Sequence, residues 1–369
     1  MVFIALETTS IPLYVLAAFR RNDTRSVESG MKYFLFGSFA SAIMLYGFSF
    51  LYGFAGTSNL EGIATYLSSG ALGDQAVPVV LTIVLIFVGF GFKISAVPFH
   101  FWTPDVYEGA PTPVTAFVSV ASKAGSFALL MRFFIGVFPD AVVIDGQAMS
   151  TLWINLMIAA AVVSMTVGNV VALSQRNVKR LLAYSSIAQA GYTLIGVAAL
   201  QAQTEQGVAA VAYYMFMYTF TNLLAFAVIV YFSEATGSET IADLAGLSRR
   251  NPWMALAMTV ALLSLAGIPP AAGFFGKFFL FNAAVEAGLE WLAIVGVLNA
   301  IIALYYYLAV IKVMYVDRGE DDDQPIYLGG PARLMLAISV AMTIILGVIP
   351  QPIFDWALES ASSLFPQLL

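Results

Sequence analysis

Apolar stretches long enough to cross a bilayer, separated by short polar segments, run along almost the whole chain. Because a helix of about 20 apolar residues spans the hydrocarbon core, this pattern predicts an all-α polytopic membrane protein. The hydropathy pattern predicts about ten transmembrane helices. They lie at residues 1–19, 31–54, 78–107, 112–136, 153–174, 181–200, 207–232, 253–286, 290–315 and 331–349. The last stretch, residues 351–369, is predicted to lie at the membrane interface without crossing it.

Two of these spans, 78–107 and 253–286, are too long for a single crossing. They would form helices of about 45 Å and about 50 Å, against a hydrocarbon core of about 30 Å. Both contain helix breakers: Pro98 in the first, and Gly267, Pro269 and Pro270 in the second. Backbone freed by a break inside a membrane must be buried in protein or line a watery cavity, so both breaks are predicted to be internal.

The broken spans also indicate an internal duplication. Residues 153–315 form a five-helix unit with its broken helix fourth, and residues 1–136 resemble that unit without its first helix. An odd number of helices per unit forces the two copies into opposite orientations, which predicts the inverted repeats found in many transporters. Residues 331–369 then form a separate C-terminal helix and tail.

The loops between the spans differ in charge. If the spans alternate in direction, the basic loop residues fall on one side: Arg20, Arg21, Arg25, Arg176, Lys179, Arg180, Arg249, Arg250, Arg318 and Arg333. The opposite loops hold acidic residues instead: Glu61, Asp74, Asp140, Asp145, Glu205, Glu286 and Glu290. The positive-inside rule therefore places the basic loops in the cytoplasm and both termini outside. The acidic run 320–323 is interpreted as a solvated cytoplasmic loop.

Composition argues against several kinds of chemistry. Hydrophobic residues make up 60% of the chain and charged residues 10%, and the chain has no Cys and one His, His100. Iron–sulfur clusters need thiolates and haems need axial ligands such as His or Cys, so we expect no redox centre and no metal site in this chain. The sequence also contains neither a P-loop nor a dinucleotide-binding fingerprint.

Four charged residues lie deep inside predicted spans: Glu7, Lys93, Lys123 and Lys277. Helical rise puts them about 14–22 Å from a span end, too far for easy contact with the interface. Because a charge in hydrocarbon is costly, such residues usually face a polar cavity and carry ions or protons. A buried lysine beside a mobile carboxylate can bind and release a proton, and Glu7 is the natural partner for Lys93. The alternative for the lysines is a structural ion pair or a carbonyl contact.

Other polar residues have two interpretations each. Lys32 begins a span and could belong to the buried set or extend to the interface. His100, beside the first break, could relay protons or hydrogen-bond the freed backbone. Asp105 and Glu108, at the inner end of the same span, could take up protons or cap the next helix. Lys312 lies near a span end, where its side chain is expected to reach the interface.

Three segments carry a family resemblance. The segment FKISAVPFHFWTPDVYEGAPTPVTAF, residues 92–117, resembles the signature of the subunit N family of proton-pumping NADH–quinone oxidoreductase (respiratory complex I). The segment RNVKRLLAYSSIAQAGY, residues 176–192, resembles a motif of all antiporter-like subunits of that enzyme. SLAGIPPAAGFFGKFFLF, residues 264–281, again resembles subunit N, whereas a glutamate is expected in this helix of the sister subunit M.

The resemblance implies roles for the buried charges. Glu7 and Lys93 would form the ion pair of a first half-channel, Lys123 would be the relay lysine of the next helix, and Lys277 would be the lysine of a second half-channel. Lys32 would match a further family lysine. Family members have about four more helices before the one that carries Glu7. We therefore expect the natural start to lie upstream, or the chain to be a shortened form.

The resemblance also implies a setting. The chain would be a proton-translocating subunit of NADH:quinone oxidoreductase in a bacterial cytoplasmic (inner) membrane. NADH, FMN, iron–sulfur clusters and quinone would bind to partner subunits, and its own partners would be the other membrane-arm subunits and the lipid bilayer, with no nucleic acid. An Mrp-type cation/proton antiporter subunit and a membrane-bound hydrogenase subunit are the alternatives with the same fold, and the form of residues 92–117 disfavours both. A passive scaffold is disfavoured by the cost of its buried lysines.

Overall fold

The computed structural model describes residues 1–73, 76–202, 204–319 and 321–362. Asp74 and Glu320, which the charge pattern assigns to an outer and an inner loop, lie outside the described residues, as does the end of the predicted tail. The α-helices are α1 (Val2–Ala17), α2 (Thr24–Ala55), α3 (Leu60–Ser68), α4 (Ala76–Ile94), α5 (Trp102–Gly109), α6 (Thr112–Phe117), α7 (Lys123–Val137), α8 (Met149–Ala172), α9 (Val178–Ala198), α10 (Glu205–Thr236), α11 (Leu247–Arg250), α12 (Pro252–Ala266), α13 (Gly273–Glu286), α14 (Glu290–Tyr315), α15 (Gly330–Val348) and α16 (Gln351–Ser362). A short antiparallel hairpin pairs β1 (Val143–Ile144) with β2 (Gln147–Ala148) before α8.

Within the described ranges, eight helical segments are long and apolar enough to cross a membrane. They coincide with the second to seventh, ninth and tenth spans predicted from hydropathy, while α1 and α12 are shorter apolar helices that match the first span and the start of the eighth. The polytopic helical architecture is thereby confirmed. The hydropathy pattern did not indicate α3 or the hairpin, because both lie in polar connections outside the apolar runs.

Both predicted helix breaks are present. The first separates α4 from α5 at residues 95–101, and the second separates α12 from α13 at residues 267–272. Gly267 caps α12 with a φ of 88°, a conformation that residues with a side chain rarely adopt. Lys93 lies in the last turn before the first break and Lys277 lies after the second, as the sequence indicated. A third irregularity, the π-helical turn Val118–Ser122, lies directly before Lys123 and had no sequence signal.

Helix α15 packs against the second break and binds its backbone. The backbone N–H of Ala272 donates to the carbonyl of Thr343 at 2.9 Å. At Gly347, a Cβ atom would lie 2.0 Å from the carbonyl oxygen of Pro270, so only a glycine allows this approach. The backbone freed by the break is therefore satisfied by α15, as a break inside a membrane requires.

Helix α9 is the central element, with all but two of its residues buried. It contacts α5, α8, α10, α13 and α14. A Cβ at Gly168 of α8 would lie 2.7 Å from the backbone nitrogen of Ala188, and one at Gly191 would lie 2.7 Å from that of Met165. Small residues thus let α8 and α9 touch along their backbones, a common way of packing membrane helices.

One residue of the acidic run, Asp322, makes specific contacts. Asp322 is largely covered and accepts hydrogen bonds from Arg249 at 2.7 Å and from the backbone N–H of Gly319 at 3.0 Å. These bonds lower the pKa of its carboxyl, the backbone bond first. Asp321 and Asp323 are exposed, as a solvated loop requires, while Asp322 docks on the basic loop beside Gly246, whose missing side chain leaves room for it. Lys312 is exposed and pairs with Asp317, consistent with its predicted reach to the interface.

Helix α16 is amphipathic and too short to span, which agrees with an interfacial tail over its described part. Its buried face packs on α10, and the ring of Phe354 stacks on Phe279 of α13 with centroids 3.9 Å apart. Trp356 on the opposite face is exposed. The helix therefore covers one end of the unit that contains Lys277.

Candidate functional site

The three lysines singled out from the sequence are all buried. Their exposed fractions are 5% for Lys93, 2% for Lys123 and 5% for Lys277. None of the three forms a salt bridge within the described part of the chain. Each ammonium group instead donates hydrogen bonds to neutral oxygens, and these oxygens differ from one lysine to the next.

Lys123 binds to the central helix. It is the first residue of α7, after the π-helical turn, and its ammonium donates to the carbonyl oxygen of Ser186 at 3.0 Å and to the Ser186 hydroxyl at 2.5 Å. The same hydroxyl oxygen accepts from Tyr218 at 3.1 Å and lies 3.4 Å from the hydroxyl of Tyr107. Lys123 therefore ends in a cluster of hydroxyl groups that can exchange protons.

Lys277 binds to the second break. Its ammonium donates to the carbonyl oxygens of Leu265 and Ala266, each at 3.0 Å. These carbonyls are free because α12 ends there, and the end of a helix carries a partial negative charge. The nitrogen also lies 4.4 Å from the centre of the Tyr192 ring. The break thus creates the oxygens that hold the lysine.

Neighbouring residues of helix α9 bind near both of these lysines. Gln189, one turn after Ser186 on α9, donates its side-chain N–H to the same Leu265 carbonyl that Lys277 uses, at 3.0 Å. Gln189 also donates to the hydroxyl of Tyr307 at 3.2 Å and accepts from the hydroxyl of Tyr214. We call the chain Lys123–Ser186–Gln189–Leu265 carbonyl–Lys277 the central polar axis.

Glu7 and Lys93 lie in one polar group, but the predicted direct ion pair is not formed. The Lys93 ammonium donates to the hydroxyl of Ser10, and Glu7 accepts from the hydroxyl of Ser41 at 2.6 Å. Ser10 lies one turn after Glu7 on the same helix, α1, so a serine occupies the position next to the ammonium. The two charges still interact electrostatically, at a distance longer than an ion pair.

Aromatic residues lie between Lys93 and Lys123. The Lys93 nitrogen is 5.7 Å from the centre of the Tyr14 ring, and the rings of Tyr14 and Tyr33 are 4.7 Å apart, edge to face. Tyr33 lies close to Ser122, the residue before Lys123. Two tyrosines therefore separate the first lysine from the second.

The first break contains unused hydrogen-bonding atoms. His100 is 8% exposed and its Nδ1 has no hydrogen-bond partner. The same is true of the buried hydroxyls of Ser95 and Thr103, so three of the four such atoms in the described chain lie at or beside this break. Polar groups of this kind bind water when the site has room, which favours a hydrated break.

The C-terminal end of the first broken span holds an ionic cluster. Asp105 pairs with Lys32 at 2.6 Å and with Arg180 at 2.8 Å; Arg180 also pairs with Glu108 at 2.9 Å, and Lys32 with Glu28 at 2.7 Å. Asp105 thus binds two cations, one from α2 and one from α9. Lys32 belongs to this surface cluster rather than to the buried set.

The cluster borders a cavity of about 210 Å³, lined in part by Arg25, Glu28 and Asp105.

Lys179 is a buried lysine that the sequence analysis did not single out. It is 3% exposed, pairs with Glu239 at 3.0 Å and donates to the carbonyl of Ala110 at 3.0 Å. It joins the start of α9 to the end of α5. The interpretation of Lys179 as a loop cation overlooked this burial, since the residue lies just inside the helix.

Two residues of the central polar axis, and three tyrosines around it, were not predicted. All five are uncharged, and the hydropathy pattern treats them as ordinary members of apolar spans: Ser186, Gln189, Tyr192, Tyr214 and Tyr307. The clusters YYMFMYT and LYYYL were the available signal, because a buried tyrosine needs a partner for its hydroxyl. In the described residues, no group of three or more His, Asp or Glu side chains could hold a metal ion.

Comparison with known proteins agrees with this architecture. The family model described as "NADH:quinone oxidoreductase/Mrp antiporter, TM" matches residues 1–303. NADH-quinone oxidoreductase subunit N of Moorella thermoacetica is 45% identical over 98% of this chain and 73% of its own length. A chain of respiratory complex I from Thermus thermophilus is 34% identical, with a TM-score of 0.76 over 96% of this chain and 74% of that one.

A chain of the Mrp complex from Dietzia sp. DQ12-45-1b shares the fold, with a TM-score of 0.83 over 98% of this chain and 73% of that one, at 22% identity. At that identity the likeness concerns the fold alone. The chain therefore belongs to the NADH:quinone oxidoreductase/Mrp antiporter transmembrane family and, within it, to the subunit N group of NADH-quinone oxidoreductase.

Proposed function

We propose that this chain is a membrane-arm subunit of a bacterial proton-pumping NADH–quinone oxidoreductase and that it moves protons along its buried lysines. The relatives named subunit N support the complex, and the central polar axis supports the path. Electron transfer would take place in partner subunits, which would hold NADH, FMN, iron–sulfur clusters and quinone. An Mrp-type antiporter has the shared family model and fold in its favour, but the relatives of 41–47% identity named subunit N favour the oxidoreductase.

The observation that carries the proposal is the Leu265 carbonyl shared by Gln189 and Lys277. It links the lysine of the second break to the helix that binds Lys123. Because neutral oxygens hold both lysines, a proton can arrive or leave without breaking an ion pair. Moving one charge against 100 mV costs about 2.3 kcal/mol. A change of about two units in the pKa of a lysine corresponds to a similar free energy.

Lys93 would pass protons to this axis from the first break. Glu7 and Lys93, each bound to a serine, would form the first half-channel, and the tyrosines at 14 and 33 would separate it from Lys123. His100 would relay protons within the hydrated break. Lys32 and Asp105 would set the charge of the cytoplasmic mouth, where protons would be taken up.

Removal of the Gln189 side chain tests this path. Gln189→Leu keeps the volume but deletes the bond to the Leu265 carbonyl and the contacts to both tyrosines, so we expect the proton-to-electron ratio to fall in assembled complex. The measurement is proton pumping and quinone reduction in membrane vesicles. Gln175→Leu, in the partly buried connection after α8, is the matched control and should pump normally. A parental ratio in Gln189→Leu would contradict conduction along the axis.

The orientation is a separate proposal, with the basic loops in the cytoplasm and both termini outside. Reporter fusions at Asn177, Arg250 and Arg318 should be active on the cytoplasmic side, and a fusion at Asp145 on the outer side. The one-sided distribution of loop Lys and Arg is the reason for this expectation. A cytoplasmic signal at Asp145 would break the alternation of spans and with it the proposed inverted repeats.

A further inference from the structure

We infer that the ring of Tyr192 is the third ligand of the Lys277 ammonium and that Asn169 is the positioning residue that holds this ring. The inference rests on the proposed function, since it describes the surroundings in which Lys277 would bind its proton. It concerns residues that carry no charge and that lie on helices other than the one with the lysine.

An ammonium group has three N–H donors. Two of those on Lys277 are directed to the carbonyls of Leu265 and Ala266, and the nitrogen lies 4.4 Å from the centre of the Tyr192 ring. This distance is within the range of about 6 Å over which the face of an aromatic ring attracts a cation. In the described chain no carboxylate lies within ion-pair distance of this lysine, so the ring face and the helix end stabilise its charged form.

The Tyr192 ring is fixed on two sides. Its side chain is fully buried, and its ring and that of Phe281 on α13 form a T-shaped pair with centroids 6.4 Å apart. Its hydroxyl oxygen accepts a hydrogen bond from the side-chain N–H of Asn169 at 3.1 Å. The ring therefore cannot turn away from the lysine without breaking a buried hydrogen bond.

Asn169 is itself held by residues of two other helices. It is fully buried on α8, and besides Tyr192 on α9 it donates to the backbone carbonyl of Asn299 on α14 at 3.1 Å. Its own oxygen accepts from the hydroxyl of Tyr306 at 3.1 Å. Reversing the amide would place its donors and acceptor against the wrong partners, so this network fixes a single orientation of Asn169 and, through it, of Tyr192.

The other two lysines have different surroundings, and neither has a ring centre as close as 4.4 Å. Lys93 lies 5.7 Å and 5.6 Å from the centres of the Tyr14 and Phe92 rings and also interacts with the Glu7 carboxylate. Lys123 has hydroxyl partners, and no ring face is directed at it in the described residues. Lys277 is thus the lysine whose charged state depends most on an aromatic ring.

The test is the pH dependence of proton pumping in membrane vesicles that contain assembled complex. Tyr192→Leu removes the ring, which destabilises the ammonium, so we expect the alkaline limb of the profile to move to lower pH by about one unit, a tenfold change in proton affinity. Tyr192→Phe keeps the ring face but loses the hydrogen bond to Asn169, so it should move the limb in the same direction by less than Tyr192→Leu does. Asn169→Leu releases the hydroxyl and should give an intermediate shift. Tyr192→Met is a second ring-free variant if Tyr192→Leu does not assemble.

Tyr213→Leu is the matched control, because this tyrosine is equally buried but packs on Phe279 and Phe354 rather than on a cation. An alkaline limb that stays in place in the ring-free variants, beside a non-pumping Lys277→Ala, would overturn this inference alone. Parental pumping by Lys277→Ala would overturn the proposed function and this inference together. A shift equal to that of Tyr213→Leu would also overturn the inference, since it would reflect lost packing.

Discussion

Complexes that carry Lys277→Ala should assemble and should lose proton pumping by at least about tenfold, a change of about 1.4 kcal/mol in the limiting barrier. Alanine cannot bind a proton, and it leaves the Ala266 carbonyl without its lysine. Lys277→Arg should fail as well, because a guanidinium does not release its proton and its planar fork differs from the ammonium that the two carbonyls hold. The measurement is the proton-to-electron ratio in vesicles with matched amounts of complex.

Two further variants separate chemistry from structure at this position. Lys277→Gln retains an N–H donor for the freed carbonyls but has no titratable group, so it should assemble like the parent and still not pump. Lys312→Ala removes an exposed lysine that pairs with Asp317 and should leave the ratio unchanged. A parental ratio in both Lys277→Ala and Lys277→Gln would show that the lysine is a structural support of the break.

The second large effect is expected at Lys123. Replacing it with Ala removes the proton carrier at the start of the central polar axis, and replacing it with Arg keeps the charge fixed, so both variants should lose pumping by at least about tenfold. Quinone reduction should fall with pumping if the two processes are tightly coupled. Both rates are measured on the same vesicles.

Ser126→Ala is the matched control for Lys123. Ser126 lies one turn further along α7, and its hydroxyl bonds only the carbonyl of Ser122 in the described residues. Its loss removes a buried polar group from the same helix without touching the axis. Normal pumping by Lys123→Arg would mean that protons travel by another route, because arginine cannot take part in transfer.

The sequence predicted the fold well because the signals were local. A run of apolar residues reports a span, and a proline or glycine inside an overlong run reports a break, so the relation of Lys93 and Lys277 to their breaks followed from residue order. The burial of Lys93, Lys123 and Lys277 followed from the same pattern. The cost of a charge in hydrocarbon does not depend on which helices are neighbours.

The contacts of these lysines depended on tertiary structure and were less predictable. The direct Glu7–Lys93 pair was wrong because charge alone cannot reveal that Ser10 and Ser41 bind the two groups. Gln189 was overlooked because it is uncharged in a nearly apolar helix, and its role appears only when the Leu265 carbonyl is brought to it. Lys32 pairs with Asp105, 73 residues away, which no local pattern could indicate.

The close approach of α15 to the second break has a consequence for how mutations in this protein are interpreted. The helix contributes no ionisable side chain to the axis, yet Thr343 binds the backbone of the loop that sets the Leu265 and Ala266 carbonyls, and Gly347 touches Pro270. A methyl group at 347 would overlap Pro270 and displace that loop. A genetic screen for uncoupled respiration should therefore recover substitutions at uncharged positions of this helix, and a search limited to charged residues would miss them.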